Sequence, residues 1–158
     1  MRLTSFTDYS LRVLMYLGLK GDELATISEI AASYDISRNH LMKVVYELSQ
    51  HGYIETIRGK KGGMRLRVEP SAINLGELVR CTESDMALVE CFGPENSCRL
   101  TPSCALRSAL NEALQAFLAV LDRYTLAELV TPGHELAALL WMDIPVRSSP
   151  EPPRSRPQ

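Results

Sequence analysis

The chain has 158 residues, of which 46% are hydrophobic and 23% charged, and its formal net charge is −2. This length suffices for one domain with a hydrophobic core, or for a small domain with a helical appendage, and the composition excludes a disordered chain. Because aromatic residues make up only 6% and Leu and Ala dominate, we expect a mainly α-helical fold and no β-sandwich.

The apolar segments indicate the compartment. None approaches the ~20 uninterrupted apolar residues of a membrane span, and the polar residues of the opening MRLTSFTDYSLR do not fit a secretory signal. We therefore expect a cytoplasmic protein. In that compartment the four cysteines are expected to be ligands, reactive thiols or buried fillers rather than disulfides.

Three helices are predicted at the start of the chain. Apolar residues at helical spacing indicate a first helix over residues 7–19, capped at Thr7, and a third helix that opens after Ser37. Between them, Thr26 and Glu29 have the spacing of a capping box for a short second helix. Helix, short turn and helix is the outline of a helix-turn-helix.

The third helix carries candidate DNA-contacting residues. At about 100° per residue, its apolar stripe lies opposite a polar and basic face. That face holds Asn39, Lys43, Tyr46 and Gln50, with Arg38 and His40 on the flanks of the first turn. We expect Asn39 and Lys43 to reach base edges or flanking phosphates. Arg38 and His40 are expected near the DNA backbone.

A basic β-hairpin follows. Residues 53–58 and 64–68 alternate as strands do, and residues 59–63 between them are rich in Gly and Lys. A helix-turn-helix followed by such a hairpin is a winged helix, in which one helix enters the major groove and the wing lies against the minor groove or the backbone. A solvated charged turn is the alternative interpretation of the basic run.

The wing residues have separate expected roles. Lys60 and Lys61 should add salt-dependent phosphate contacts, and Arg58 should enter or flank the minor groove. Gly62 and Gly63 permit close approach to the DNA backbone. No acidic residue lies among residues 56–67, which makes nucleic acid a candidate partner.

The second half of the chain is predicted to be helical around one loop. A helix over residues 74–90 loses regularity, residues 91–104 form a loop with Gly and Pro, and a long helix begins at Ala105. Its apolar residues form one stripe with coiled-coil spacing, Leu106, Leu110, Ala113, Phe117, Val120 and Tyr124, and a second beside it, Leu114, Leu118 and Leu121. Two stripes need two surfaces, so we expect a partner subunit to cover one; burial within a single domain is the alternative.

Four parts result from this pattern. Residues 1–73 are expected to form the DNA-binding winged helix-turn-helix, residues 74–104 the linking helix and cysteine loop, and residues 105–142 the dimerisation helix region. Residues 143–158 contain five prolines and are expected to be a disordered tail without an assigned role.

Three cysteines, Cys91, Cys98 and Cys104, stand within fourteen residues of the loop. Their wide spacing suits an iron–sulfur cluster, and soft thiolates suit iron. Zinc fits less well because it usually takes closer pairs with a fourth Cys or His. A redox disulfide would leave one thiol over, and a purely structural role is the remaining alternative. Cys81 lies apart in a helical stretch, where we expect a small apolar filler.

Three features together resemble a known family, the winged-helix regulators that carry an iron–sulfur cluster. They are the opening MRLTSFTDYSLRVLMYL, the segment ISRNHLMKVVYELSQHGYIETIRGKKGGMRL, and the three cysteines before the long helix. The resemblance covers roughly residues 1–130. It implies a homodimeric transcriptional repressor of a palindromic double-stranded operator. The chain shows no catalytic arrangement of residues, so we expect no enzyme.

Two positions favour the nitric-oxide-sensing branch of that family. The IscR-like branch has a His ligand three residues after the last Cys, where this chain has Arg107, which cannot ligate iron. The resemblance implies instead that Asp8 of the partner subunit completes a [4Fe–4S] cluster on the three cysteines, with [2Fe–2S] as the alternative. Arg12 is expected to orient Asp8 or simply to pair with it.

The function implied by this branch is release of the operator when nitric oxide nitrosylates the cluster. The alternative is an IscR-like regulator of iron–sulfur cluster homeostasis, or another winged-helix regulator that responds to redox state or iron. These alternatives share the winged helix and differ in the signal.

Overall fold

The structure, a computed structural model, describes residues 2–140, so the predicted tail at 143–158 lies outside the described residues. Within residues 2–140 the chain forms seven α-helices and one antiparallel hairpin: α1 Ser5–Lys20, α2 Ile27–Tyr34, α3 Arg38–Gln50, β1 Ile54–Ile57, β2 Gly63–Leu66, α4 Leu75–Thr82, α5 Ala105–Leu121, α6 Leu126–Leu129 and α7 Gly133–Leu139. No helix in this range is long and apolar enough to cross a membrane. The expected mainly α-helical winged-helix fold with a long C-terminal helix is confirmed.

The main core is built around α1, which packs on α3, β2, α4 and α6. Fully buried aliphatic side chains come from each of the helices α1–α4, from the hairpin and from α6: Val13, Leu14, Leu17, Ile30, Leu41, Leu48, Ile54, Leu78 and Leu126. Burial of each such side chain is worth about 1.5–3 kcal/mol. Because α3 contributes its apolar stripe to this core, its opposite face is left to solvent.

The helix starts agree with the predictions, with one correction. α1 begins two residues earlier than expected, and its cap is Thr4, whose Oγ1 accepts a hydrogen bond from the Thr7 N–H at 3.2 Å. Thr7 is not the cap, because it lies inside the first turn of α1 and its own N–H donates to Thr4. The capping box of Thr26 and Glu29 is confirmed. Ser37 occupies the predicted cap position of α3 but makes no side-chain cap bond.

The wing is a short hairpin in which Ile54 pairs with Leu66 and Ile57 with Gly63. Both strands are shorter than the predicted 53–58 and 64–68. A bridge between Ala25 and Met64 fastens β2 to the turn before α2. The hairpin is therefore tied to the helix-turn-helix by main-chain hydrogen bonds, while its tip is free to project.

The linking helix is shorter than predicted. α4 ends at Thr82 instead of continuing towards residue 90, and Glu83 has extended backbone angles. Just after it, the Asp85 carboxylate accepts a bond from the Ala87 N–H at 2.7 Å, a local side-chain bond that competes with helix. As predicted, the cysteine segment is irregular, apart from 3₁₀ turns at Glu90–Phe92 and Thr101–Ser103.

The two stripes of α5 separate into a covered and an open side. Leu114 and Leu118 are buried with Val79 of α4, whereas Leu106 and Val120 are 66% and 44% exposed. Tyr124, expected on the same seam, lies beyond the helix because α5 ends at Leu121. Part of the predicted coiled-coil stripe is thus uncovered in the single chain.

The sequence reasoning missed α6 and α7. The signal for α6 was present, because Thr125 and Glu128 form a capping box with the same spacing as the one recognised at α2. The turn before α6 is fixed to the start of α4, where the Asn74 side chain donates to the Asp122 carbonyl at 2.8 Å. The Leu126 N–H bonds the Ile73 carbonyl at 2.9 Å.

Candidate DNA interface and cysteine segment

α3 presents a polar, basic face to solvent. All four of its predicted DNA-contacting residues are exposed: Arg38, Asn39, His40 and Lys43. The first turn of α3 has no acidic residue, so no carboxylate of that turn would repel a phosphate. The predicted orientation of the helix is confirmed, and the contacts of these residues with DNA stay a prediction.

His40 also contacts α1. The centroid of its ring lies 6.1 Å from that of Tyr9, with the ring planes tilted by 32°. A cavity of about 210 Å³ beside the pair is lined by Ser5, Phe6, Tyr9, His40, Lys43 and Val44. Because Tyr9 follows Asp8 in the chain, this contact connects the turn that carries Asp8 with the start of α3. Sequence spacing gave no sign of it.

The wing tip exposes the three predicted cations, Arg58, Lys60 and Lys61. A fourth basic residue of this segment is already paired, because Arg65 donates to the Glu55 carboxylate across the hairpin at 2.6 Å. The charge available to a phosphate backbone thus lies at the tip of the wing and at Arg67, which is exposed just after β2.

The two wing glycines have an intramolecular reason to be glycine. A Cβ on Gly62 would overlap the carbonyl oxygen of Ile57, and a Cβ on Gly63 would lie 2.7 Å from the carbonyl oxygen of Ala25. Both obstacles are backbone atoms, which cannot swing aside as a side chain would. The expected approach of these glycines to DNA stays a prediction, but the turn requires them without DNA.

Asp8 lies in the first turn of α1 and is held by Arg12. The guanidinium Nη2 and Nε are 3.0 Å and 3.2 Å from the two carboxylate oxygens, and the Asp8 side chain is 46% exposed. The same guanidinium lies 5.7 Å from the centre of the Tyr34 ring. Burial of Tyr34 raises the pKa of its phenol to about 12. Asp8 is thus a positioned carboxylate that a second molecule can reach.

The start of α1 is bonded to the end of α4. Glu83 accepts bonds from the Thr4 N–H at 2.8 Å and from the Thr4 hydroxyl at 3.2 Å. The buried Thr7 hydroxyl donates to that of Thr82 at 2.9 Å, which donates in turn to the Leu78 carbonyl. The turn that holds Asp8 is therefore fixed to the helix that leads into the cysteine segment.

The three loop cysteines are free thiols. Cys91 and Cys104 are partly buried, and Cys98 is exposed. Local hydrogen bonds shape the loop: the Cys98 N–H donates to the Asn96 side chain at 3.0 Å, and the Thr101 hydroxyl donates to the Cys98 carbonyl at 2.7 Å. Within residues 2–140, no three His, Cys, Asp or Glu side chains lie close enough to hold one metal ion.

Arg107 joins the cysteine segment to α5. Its Nε donates to the Cys91 carbonyl at 3.3 Å, and its guanidinium lies 5.9 Å from the centre of the Phe92 ring. Cys104, at one end of the loop, immediately precedes α5. The Arg107 bond therefore holds the backbone of Cys91, at the other end of the loop, beside the same N-terminal end of α5. A residue that the sequence marked only as a missing ligand therefore has a structural role.

Cys81 stands apart from this loop. It is partly buried on α4, and burial, aided by the Glu47 carboxylate, raises the pKa of its thiol. A raised pKa disfavours the thiolate that binds metals, in agreement with the expected filler role.

A helix-turn-helix with a projecting basic wing defines a winged-helix DNA-binding protein. Residues 3–132 match the model of the Rrf2 family, described as "Iron-dependent Transcriptional regulator", and the chain belongs to that family. It is a transcriptional regulator that binds DNA, and not an enzyme.

Curated relatives agree with this assignment. The chain is 54% identical over 142 residues to the HTH-type transcriptional regulator NsrR of Bacillus licheniformis, covering 89% of this chain and 99% of the relative. It is also 54% identical over 144 residues to the protein of that name from Bacillus subtilis, covering 90% and 99%.

Solved structures support the fold. CymR, the global cysteine regulator of B. subtilis, superposes with a TM-score of 0.68 and 28% identity over 84% of this chain and 98% of that one. IscR of T. potens gives a TM-score of 0.69 over 86% and 90%, and at 20% identity this likeness concerns the fold alone.

Proposed function

We propose that the chain is a cytoplasmic, homodimeric repressor that binds a palindromic operator, carries a [4Fe–4S] cluster and releases the operator in response to nitric oxide. The identity of 54% to regulators named NsrR over almost their whole length carries this proposal. Residues 1–73 serve as the DNA-binding domain, residues 74–104 as the cluster-binding link and residues 105–142 as the dimerisation region.

The dimer is supported by the open side of α5. Exposed small and apolar residues recur along this side at steps of three and four: Leu106, Ala109, Ala113, Ala116 and Val120. Such a stripe suits close packing against a second copy of α5. A two-fold dimer would present two copies of α3 and of the wing to a palindromic site.

The donor set suits an iron–sulfur cluster. Cys91, Cys98 and Cys104 supply three thiols, and Asp8 of the partner supplies the fourth ligand. Ligands of a cluster bind different irons, so their side chains need not meet at one point. When bound, the cluster offers nitric oxide an iron whose carboxylate ligand is held less strongly than a thiolate would be.

Asp8 connects this signal to DNA. Its turn of α1 contacts α3 through Tyr9 and His40 and is bonded to α4 through Thr4 and Thr7. If the partner's cluster bound Asp8, the first turn of α1 would keep α3 and α4 in one arrangement. Without that bond, Asp8 would be held by Arg12 alone, and the spacing of the two α3 helices would no longer be fixed.

The IscR-like alternative predicts a different fourth ligand. It needs an imidazole where this chain has Arg107, whose guanidinium is engaged with the Cys91 carbonyl and beside Phe92. An arginine stays protonated and offers no lone pair to iron. Asp8 is therefore the better candidate for the fourth position.

The test is anaerobic purification of the wild type, Asp8→Ala and the charge control Glu135→Ala, which removes an exposed carboxylate on α7. We expect a brown protein with about four irons per chain that binds its operator until nitric oxide is added. Asp8→Ala should change the spectrum and weaken the response to nitric oxide, whereas Glu135→Ala should not.

Cysteine variants provide a second control. Cys98→Ser should lower the iron content, and Cys81→Ser should leave it unchanged. A colourless protein that contains zinc, or operator binding that ignores both iron and nitric oxide, would remove the sensing mechanism and leave the winged-helix regulator in place.

A further inference from the structure

The DNA-facing side of α3 is not purely polar. Met42 and Tyr46 are 57% and 61% exposed, although large apolar side chains elsewhere on α3 fill the core. They stand four residues apart, so their side chains are neighbours on the helix surface, about 5–6 Å apart at Cβ. Together they make an apolar strip, hereafter the Met42–Tyr46 strip.

The surroundings of this strip match a DNA groove. Asn39 precedes Met42 by one turn, Lys43 is adjacent, and Gln50 follows Tyr46 by one turn. Polar and cationic groups thus border the strip, and Glu47, an exposed acid, follows Tyr46 directly. The major groove of DNA offers the complementary pattern, because hydrogen-bonding base edges and phosphates surround the C5-methyl groups of thymines.

We propose that the Met42–Tyr46 strip is a specificity determinant that packs on thymine methyl groups in each half-site. This assignment rests on the proposed operator binding and adds to it a base preference that the expected polar contacts of Asn39 and Lys43 do not supply. The strip selects half-sites with a thymine under the second and third turns of α3.

The test uses a duplex selected from a random-sequence pool by the full-length wild-type protein. Each thymine is then replaced in turn by uracil, which removes only the C5-methyl group. Because the phosphate charges are unchanged, the salt-dependent part of binding stays constant. At one or two thymines per half-site, we expect uracil to weaken wild-type binding about fourfold, the effect of one buried methyl-sized group.

Variants assign the effect to the strip. In Met42→Ala or Tyr46→Ala, uracil at the affected position should cost nothing further, because the partner of the methyl group is gone. Tyr46→Phe keeps the ring and should keep the uracil effect. The control Leu139→Ala trims an exposed apolar residue of α7 and should keep every uracil effect of the wild type.

Several results would overturn the assignment. They are a selected duplex without thymine in the half-site, equal affinity for thymine and uracil duplexes, and uracil effects that persist in both alanine variants. If Met42→Ala lowered dimer stability and left the uracil effects intact, the strip would be a contact between protein copies. The titrations use no nitric oxide, so a failure of the proposed sensing would not change them.

Discussion

Removal of the wing charges tests how this regulator holds DNA. Lys60 and Lys61 are exposed at the tip of the hairpin, so Lys60→Ala/Lys61→Ala should leave folding stability within about 0.5 kcal/mol of the wild type. If both ammonium groups lie against phosphates, the double variant should bind every DNA sequence more weakly. The loss should depend on salt, because each contact releases counterions.

The magnitude follows from two contacts. Each phosphate contact makes the slope of log affinity against log salt steeper by about 0.9, and the slope is negative. The double variant should therefore have a slope that is shallower by about 1.8 for each bound wing. Between 50 mM and 200 mM salt, the advantage of the wild type over the variant should therefore shrink about 12-fold for binding through one wing. Two wings on a palindromic operator would double the change in slope.

The assay is a series of fluorescence-anisotropy titrations at four or five salt concentrations, on a half-site duplex and on an unrelated duplex of equal length. The control is Arg123→Ala, which removes an exposed cation outside the winged helix and outside the proposed cluster-binding link and should keep the wild-type slope. An unchanged slope in the wing variant, or a loss confined to one base position, would refute the assignment of these lysines to phosphates.

Three further changes test the fold. Leu114→Ala empties a buried position between α5 and α4 and should cost about 2–3 kcal/mol in urea unfolding, whereas Leu139→Ala on the exposed side of α7 should cost little. Gly62→Ala forces a Cβ onto the Ile57 carbonyl, so it should lower both the melting temperature and DNA affinity. Arg80 on α4 donates two hydrogen bonds to the Asp122 carboxylate, and this pairing holds the pKa of Asp122 below its ordinary value of 3.8. The ion pair therefore stabilises the fold above that pH and loses this effect in acid. The free energy of unfolding lost in Asp122→Asn should thus become smaller as the pH falls below about 4.

The winged helix could be predicted from the sequence because its signals are local. The capping box at Thr26, the apolar stripe of α3 and the Gly- and Lys-rich turn each specify one element within a few residues. The end of α4 could not be predicted in the same way. Its termination at Thr82 coincides with hydrogen bonds from Thr4 and Thr7, residues that are distant in sequence and meet it only in the folded chain.

The candidate site was predictable in its residue types and not in its arrangement. Three thiols, a carboxylate on α1 and Arg107 are visible in the sequence, but the bond from Arg107 to the Cys91 carbonyl depends on how the loop folds onto α5. The Tyr9–His40 contact likewise depends on the packing of α1 against α3. Sequence periodicity describes each helix separately, so it cannot give such pairs.

In the proposed dimer, the contacts of α1 with α3 and α4 would couple Asp8 to the DNA-binding helix. In the proposed two-fold dimer each Asp8 would ligate the cluster on the partner's cysteines, so there would be two equivalent ties, and the same signal would break both. Within each subunit, α1 is bonded to α4 and contacts α3, so a change at Asp8 reaches the α3 helix of its own subunit. To change operator-competent protein from 99% to 1%, the signal must shift the balance by about 5.5 kcal/mol. If two ties share this free energy equally, each supplies about half of it. Loss of one tie would then be too small for the full shift, so we expect complete release to require a change at both clusters.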